Sequence, residues 1–288
     1  MSQRVTGSPT LDPTPEPASL ELAEVAPPTT GGSAAQRFAV RSGPHLLSAL
    51  LIFGLWGLAS AGVGSAVIPS PLRVWETFRA ALGEGYVWPD MSVTFGRLIA
   101  AFGLAMLLAL GAGLAIGTIG WVARLFDVWV TIAAAVPSLL YIVIAYLWLG
   151  LNDTAAIVAA AVVVAPSATF NVIQGVRAID PGLSEMARAF GVSKLAIVRR
   201  VLFPQTLPFL FAAARSCLAL TWKIIIFVEL MGRSSGVGYR IQYFYQLFNM
   251  ERVLASALPF MLLMLLIELV VLRRLERHLF RWRREEAR

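Results

Sequence analysis

The chain has 288 residues, of which 58% are hydrophobic and only 14% charged, and its mean hydropathy is +0.72. Soluble domains carry about 25% charged residues, so this composition excludes an ordinary water-soluble domain and places the protein in lipid. The net charge of +7 is carried mainly by arginines at the ends of apolar runs, where they act as topology anchors, and no nucleic-acid partner is expected.

Residues 1–41 are rich in Pro, Thr, Ser and Ala, with scattered acids and no apolar periodicity. Such a segment buries too little surface to offset its ordering entropy, so a disordered N-terminal tail is expected there. The first apolar run begins too far from the N-terminus for a cleavable signal peptide.

Six runs follow that are long enough to cross about 30 Å of hydrocarbon: 45–63, 98–123, 128–152, 154–176, 208–231 and 253–272. They are continuously apolar instead of alternating, so an all-α membrane protein with six transmembrane helices is expected. The domain limits are a tail at 1–41, a six-helix transmembrane domain at 42–275 and a basic cytoplasmic tail at 276–288. Between the first two spans, residues 67–90 carry Trp75, Phe78, Tyr86 and Trp88, the pattern of a short amphipathic interfacial helix. Pro137 and Pro166 are expected to kink the third and fourth spans, and Gly111, Gly113 and Gly117 to allow close helix packing.

The side holding both termini, the 121–127 connection and the 177–207 segment carries 16 Lys and Arg against five on the other. That bias puts both termini and the 177–207 segment in the cytoplasm. The opposite side holds residues 232–251, where Gly236 and Gly238 mark a tight turn.

The 177–207 segment carries signals for two short helices. Asp180 is placed to cap a helix that starts at Pro181, and Gly191 to end it. Leu183, Met186, Ala187 and Phe190 recur at helical spacing, so one stripe is apolar. Ser193 is placed to cap a second helix bearing Leu195, Val198 and Leu202, which Pro204 is expected to close. A hairpin of this kind is either a purely structural element on the membrane surface or a docking surface for a soluble partner.

Glu185, Ala187 and Gly191, followed after nine residues by Val201, Leu202, Phe203 and Pro204, resemble the cytoplasmic loop of permease subunits of binding-protein-dependent ABC importers. Met186 stands where that pattern usually has a second Ala, and Val201 and Phe203 where Ile and Leu are usual. The segments 69–71, 92–97, 175–181, 204–208 and 232–239 are similar to the subfamily that imports sulfonates, taurine and nitrate, and the resemblance covers about residues 65–285. It implies that Glu185, Met186, Ala187, Gly191 and Pro204 belong to a coupling loop that fits a groove on an ATP-binding subunit. The partners it implies are a dimer of that ATPase, a second permease, expected to be another copy of this chain, and an extracytoplasmic solute-binding protein.

No segment has P-loop chemistry: Lys194 and Lys223 lack the Gly-rich turn and the Ser or Thr neighbour. The chain is therefore not expected to be an enzyme or to hold a cofactor, and ATP and Mg should be bound by the partner ATPase. His45 and His278 have no ligand spacing around them, so no metal site is expected. Cys217, the only cysteine, is expected to be a buried packing thiol.

Three charges fall inside the fifth span: Arg215, Lys223 and Glu229. Each costs a few kcal/mol if it faces lipid, so they are candidate pathway or intramembrane charges. Arg215 and Glu229 are expected to pair structurally at a subunit interface. For Lys223 two roles stay open, a pathway cation favouring anionic solutes and a snorkelling or paired lysine. The cargo is thus expected to be a small anion of the sulfonate, taurine or nitrate type. The alternatives are a neutral or cationic solute such as a vitamin precursor, or a secondary transporter.

Overall fold

The computed structural model describes residues 34–64 and 67–279. The chain divides into two compact units, residues 1–52 and 53–288, and helix α1 (Ala34–Val63) belongs to both. That helix starts inside the segment expected to be a tail. The rest of that segment, and the C-terminal tail from residue 280, lie outside the described residues.

The second unit is all helical among the described residues. Its centre is α3 (Val87–Thr118) packed along α6 (Asp153–Arg177), with α9 (Phe203–Gly232) against both. Ala101, Ala105, Ala109 and Gly113, four residues apart on α3, are all buried. A Cβ at Gly113 or Gly117 would overlap Val172 or Val176 of α6, so these two glycines set the helix separation. Gly111, also expected to do so, meets nothing within 4 Å. Ala105, Ala109, Ala161, Val164, Ala168 and the buried Cys217 form one core cluster.

The third span is broken. Helices α4 (Gly120–Ala135) and α5 (Ser138–Leu149) meet at 94°. Proline disfavours helical backbone at its predecessor, and Val136 is extended with φ −67° and ψ 131°. Residues 121–127, expected to be a connection, are the first turns of α4, because α3 already ends at Thr118. Pro166 sits inside α6 without ending it.

Ion pairs give the direction of each helix. Arg97, near the start of α3, meets Asp153 at the start of α6, whereas Arg177 at the end of α6 meets Asp127 of α4. Helices α3 and α6 therefore run the same way, and the bent α4–α5 pair must carry the chain back across between them. Counted as one crossing, it brings the spans among the described residues to six.

Ser70 caps α2 (Pro71–Gly83), accepting from the Arg73 N–H at 3.4 Å. Val74, Phe78 and Ala81 form the buried stripe of α2, while Trp75 is exposed. Two ion pairs, Arg73 to Glu251 at 3.3 Å and Arg252 to Glu84 at 2.8 Å, tie α2 to α11 (Met250–Leu266). Beyond α11 the helix passes through a π-helical segment, Ile267–Leu272, into α12 (Arg273–Leu279).

Candidate functional site

The segment joining α6 to α9 folds as a hairpin. The Asp180 carboxylate accepts from the Gly182 N–H at 2.8 Å and starts α7 (Pro181–Ala189). Gly191, with φ +71°, ends it: its N–H donates to the Arg188 carbonyl at 2.9 Å, and the Val192 N–H reaches back to Ala187 at 3.0 Å. This paired closure needs a left-handed residue, which glycine supplies without strain. Ser193 then caps α8 (Lys194–Ile197), accepting from the Ala196 N–H at 3.4 Å.

Pro204 does not close that second helix. A π turn at Val198–Leu202, in which the Phe203 N–H reaches the Val198 carbonyl, leads directly into α9, so helix is continuous from Lys194 to Gly232. The wider turn opens the register just ahead of Pro204, where its ring would otherwise meet the Arg200 carbonyl.

Met186, Phe190, Leu195 and Val198 of the hairpin are exposed, Phe190 at 81%. Glu185 is exposed too and forms no ion pair with any described residue. The apolar stripe expected here is thus exposed, and no described residue covers it.

The three charges of α9 lie in three separate surroundings. The Arg215 Nε donates to Glu268 at 2.9 Å, in the π-helical segment, and its Nη1 donates to Glu276 of α12 at 3.3 Å. Glu229 is wholly buried and pairs with Arg97 of α3 at 2.6 Å. Both residues therefore find partners within this chain. Lys223 is exposed and has no carboxylate at salt-bridge distance among the described residues; its ammonium lies 5.9 Å from the Trp222 ring centroid.

Around Glu229 the chain builds a polar cluster at the end of α9 remote from the hairpin. Its carboxylate accepts from the Thr94 hydroxyl at 2.8 Å and from the Gly238 N–H at 2.9 Å, besides Arg97. The Thr94 oxygen in turn accepts from the Val237 N–H at 2.8 Å. Arg97 also donates to the Ser235 carbonyl at 2.8 Å and pairs with Asp153 at 2.7 Å, and Arg233 joins the same Asp153 at 2.8 Å. Asp90 takes the Gly236 N–H at 3.1 Å and the Arg240 Nε at 2.7 Å.

Three acids and three arginines make this cluster neutral, and its density of hydrogen bonds is what makes the three buried charges, Asp90, Arg97 and Glu229, tolerable. It pins the turn before α10 (Val237–Gln246) against α3. Gly236, with φ +104°, allows the approach: a Cβ there would overlap the Glu229 carboxylate. Asp90, Arg97 and Asp153 were not among the sequence candidates. Counting uncharged runs starts the second span at Leu98 and leaves Arg97 outside it. The spacing of Asp90, Thr94 and Arg97, which puts three polar groups on one helical face, is the signal that could have found Asp90 and Arg97.

The model of the family described as binding-protein-dependent transport system inner membrane component matches residues 91–281. A Bacillus subtilis permease assigned to aliphatic sulfonate transport is 30% identical over 244 residues, covering 83% of this chain and 87% of its own. The riboflavin transport system permease of Chloroflexus aurantiacus is 29% identical over 239 residues, covering 83% and 89%. Among solved structures, a methionine ABC transporter in an inward-facing conformation aligns with a TM-score of 0.56 and 24% identity, over 65% of this chain and 93% of that one. At that identity the likeness speaks for the fold.

Proposed function

We propose a cargo and a coupling route for a chain that belongs to the family of binding-protein-dependent transport system inner membrane components and is therefore a multi-pass permease subunit of an ABC importer. Importers of this type work with an ATPase and a solute-binding protein. The route is the α7–α8 hairpin. The observation that carries it is the uncovered apolar face of Met186, Phe190, Leu195 and Val198 beside the exposed Glu185. Helix termini fixed by Asp180, Gly191 and Ser193 give that face a definite shape, which is what a rigid groove on a soluble subunit requires.

The Lys and Arg bias puts the hairpin and both termini on the cytoplasmic side. ATP and Mg then bind the partner ATPase, two copies of which close and draw together two hairpins, one from each of two permease copies. The cavity between the permeases turns outward, where the solute-binding protein releases its load.

The cargo is a small anion, with aliphatic sulfonates the leading class. Lys223 supports this, since a cation inside a span with no carboxylate at salt-bridge distance among the described residues favours a negative solute. The Bacillus subtilis relative supports it by its assignment. The riboflavin relative, nearly as similar, favours a second reading, a vitamin-type solute. Uptake by the importer reconstituted with its ATPase and binding protein decides: ATP-dependent accumulation of an alkanesulfonate is expected. Accumulation of riboflavin alone would establish the second reading, and ion-driven uptake without ATP would sink both.

A further inference from the structure

Helices α9 and α11 diverge around a groove of about 420 Å³, continued by the π-helical segment, with Lys223 towards one end and Glu268 at the other. Resting on the anion reading above, we infer that this groove is a solute site within the permease itself, shaped for an organic monoanion with an apolar body.

Four observations set that chemistry. First, Lys223 has no carboxylate partner among the described residues, and an ammonium facing acyl chains costs about 2.5–3.5 kcal/mol, which favours a groove open to water over one facing lipid. Second, Glu268 at the opposite end is already engaged by Arg215, so the charge left free in the groove is positive. Third, the walls between are apolar: Leu218, Trp222, Leu258, Met261, Leu262 and Leu265. Two of its lining residues, Met261 and Met264, have flexible thioether chains that adapt to an aliphatic body. Fourth, the volume falls within the range of about 300–1,000 Å³ typical of small-molecule sites.

Other solute classes match less of this lining. An inorganic anion would lose its hydration and leave the walls uncovered. A neutral molecule would leave Lys223 unpaired. A zwitterion would bring a second cation beside Lys223, where no free carboxylate waits for it. A sulfonate or carboxylate carrying a short hydrocarbon chain matches the cation and the walls: the head pairs with Lys223 and the chain lies along the apolar face of α9, within the roughly 12 Å that separate Lys223 from Arg215 at 1.5 Å per residue.

The test uses the permease assembled with its ATPase in nanodiscs of phosphatidylcholine, without the binding protein, titrated calorimetrically with 1-hexanesulfonate. Saturable binding is expected, weakened about tenfold or more by Lys223→Gln, the scale of one lost charge contact, and recovered by Lys223→Arg. Met261→Trp, which fills the groove and leaves the charge in place, should abolish it. Hexan-1-ol, nitrate and taurine at equal concentration should not displace the probe. Binding unchanged in Lys223→Gln, or equal displacement by any of the three, overturns the site. Loss of binding when phosphatidylglycerol is added to the disc would assign the groove to lipid and overturn it as well. If ATP-driven sulfonate uptake persists in the complete importer while the nanodisc titration is flat, only this site falls; if uptake also fails, the anion reading falls with it.

Discussion

Arg97 shows how one side chain organises the end of the bundle remote from the hairpin. Its guanidinium meets Glu229, Asp153 and the Ser235 carbonyl at once, an arrangement that needs several donors in a fixed plane. Lysine keeps the charge but has neither the fork nor the reach for three acceptors on three elements. Arg97→Lys is therefore expected to destabilise the assembled importer by roughly 2 kcal/mol or more, because a buried acceptor is left short of its donor. The measurement is the thermal unfolding midpoint of the detergent-solubilised complex. A midpoint equal to that of the unsubstituted protein would show that the cluster carries no such weight. The pairing is not legible from periodicity, since Arg97 and Glu229 are 132 residues apart and only the packing of α3 on α9 brings them together. Their polarity is visible in the sequence, but the identity of the partner is not.

At the scale of elements, the hairpin was the most legible part of the chain and the broken span the least. Caps are local: Asp180, Gly191 and Ser193 each act within five residues, so the termini of α7 and the start of α8 follow from the sequence alone. The 94° break at Pro137 depends on what α4 and α5 pack against, so a proline announces a bend without giving its angle. Pro204 fails as a stop for a related reason, because a π turn absorbs it. If the hairpin is the ATPase-docking element, two outcomes follow. Phe190→Asp combined with Leu195→Asp should remove most co-purifying ATPase, since a charge on each exposed apolar position would have to be buried in the groove; undiminished co-purification would refute the docking role. Gly191→Asn should retain uptake, because asparagine tolerates left-handed backbone. Gly191→Val should lose uptake while remaining inserted, because a branched residue costs about 1–2 kcal/mol there and distorts the hairpin. Equal uptake by the two variants would show that the turn geometry does not matter to coupling.

For the whole molecule, helix direction and charge bias converge on one topology. Ion pairs place the starts of α3 and α6 and the end of α9 together, and the hairpin lies at the other end of α9. The sequence places 16 Lys and Arg on the hairpin side against five on the other, so the hairpin should face the cytoplasm and the α10–α11 corner the exterior. The only native cysteine, Cys217, is buried and should give no background to thiol labelling. Leu247 is exposed at the α10–α11 corner and Lys194 is exposed at the start of α8. In intact cells, a membrane-impermeant maleimide is expected to label Leu247→Cys and to spare Lys194→Cys, which should react only after the membrane is opened. Labelling of Lys194→Cys from outside would invert the topology and place the hairpin beyond reach of any cytoplasmic ATPase. Labelling of both positions from the same side would mean that α9 does not cross, and the direction argument built on Arg97, Asp153 and Arg177 would fail with it.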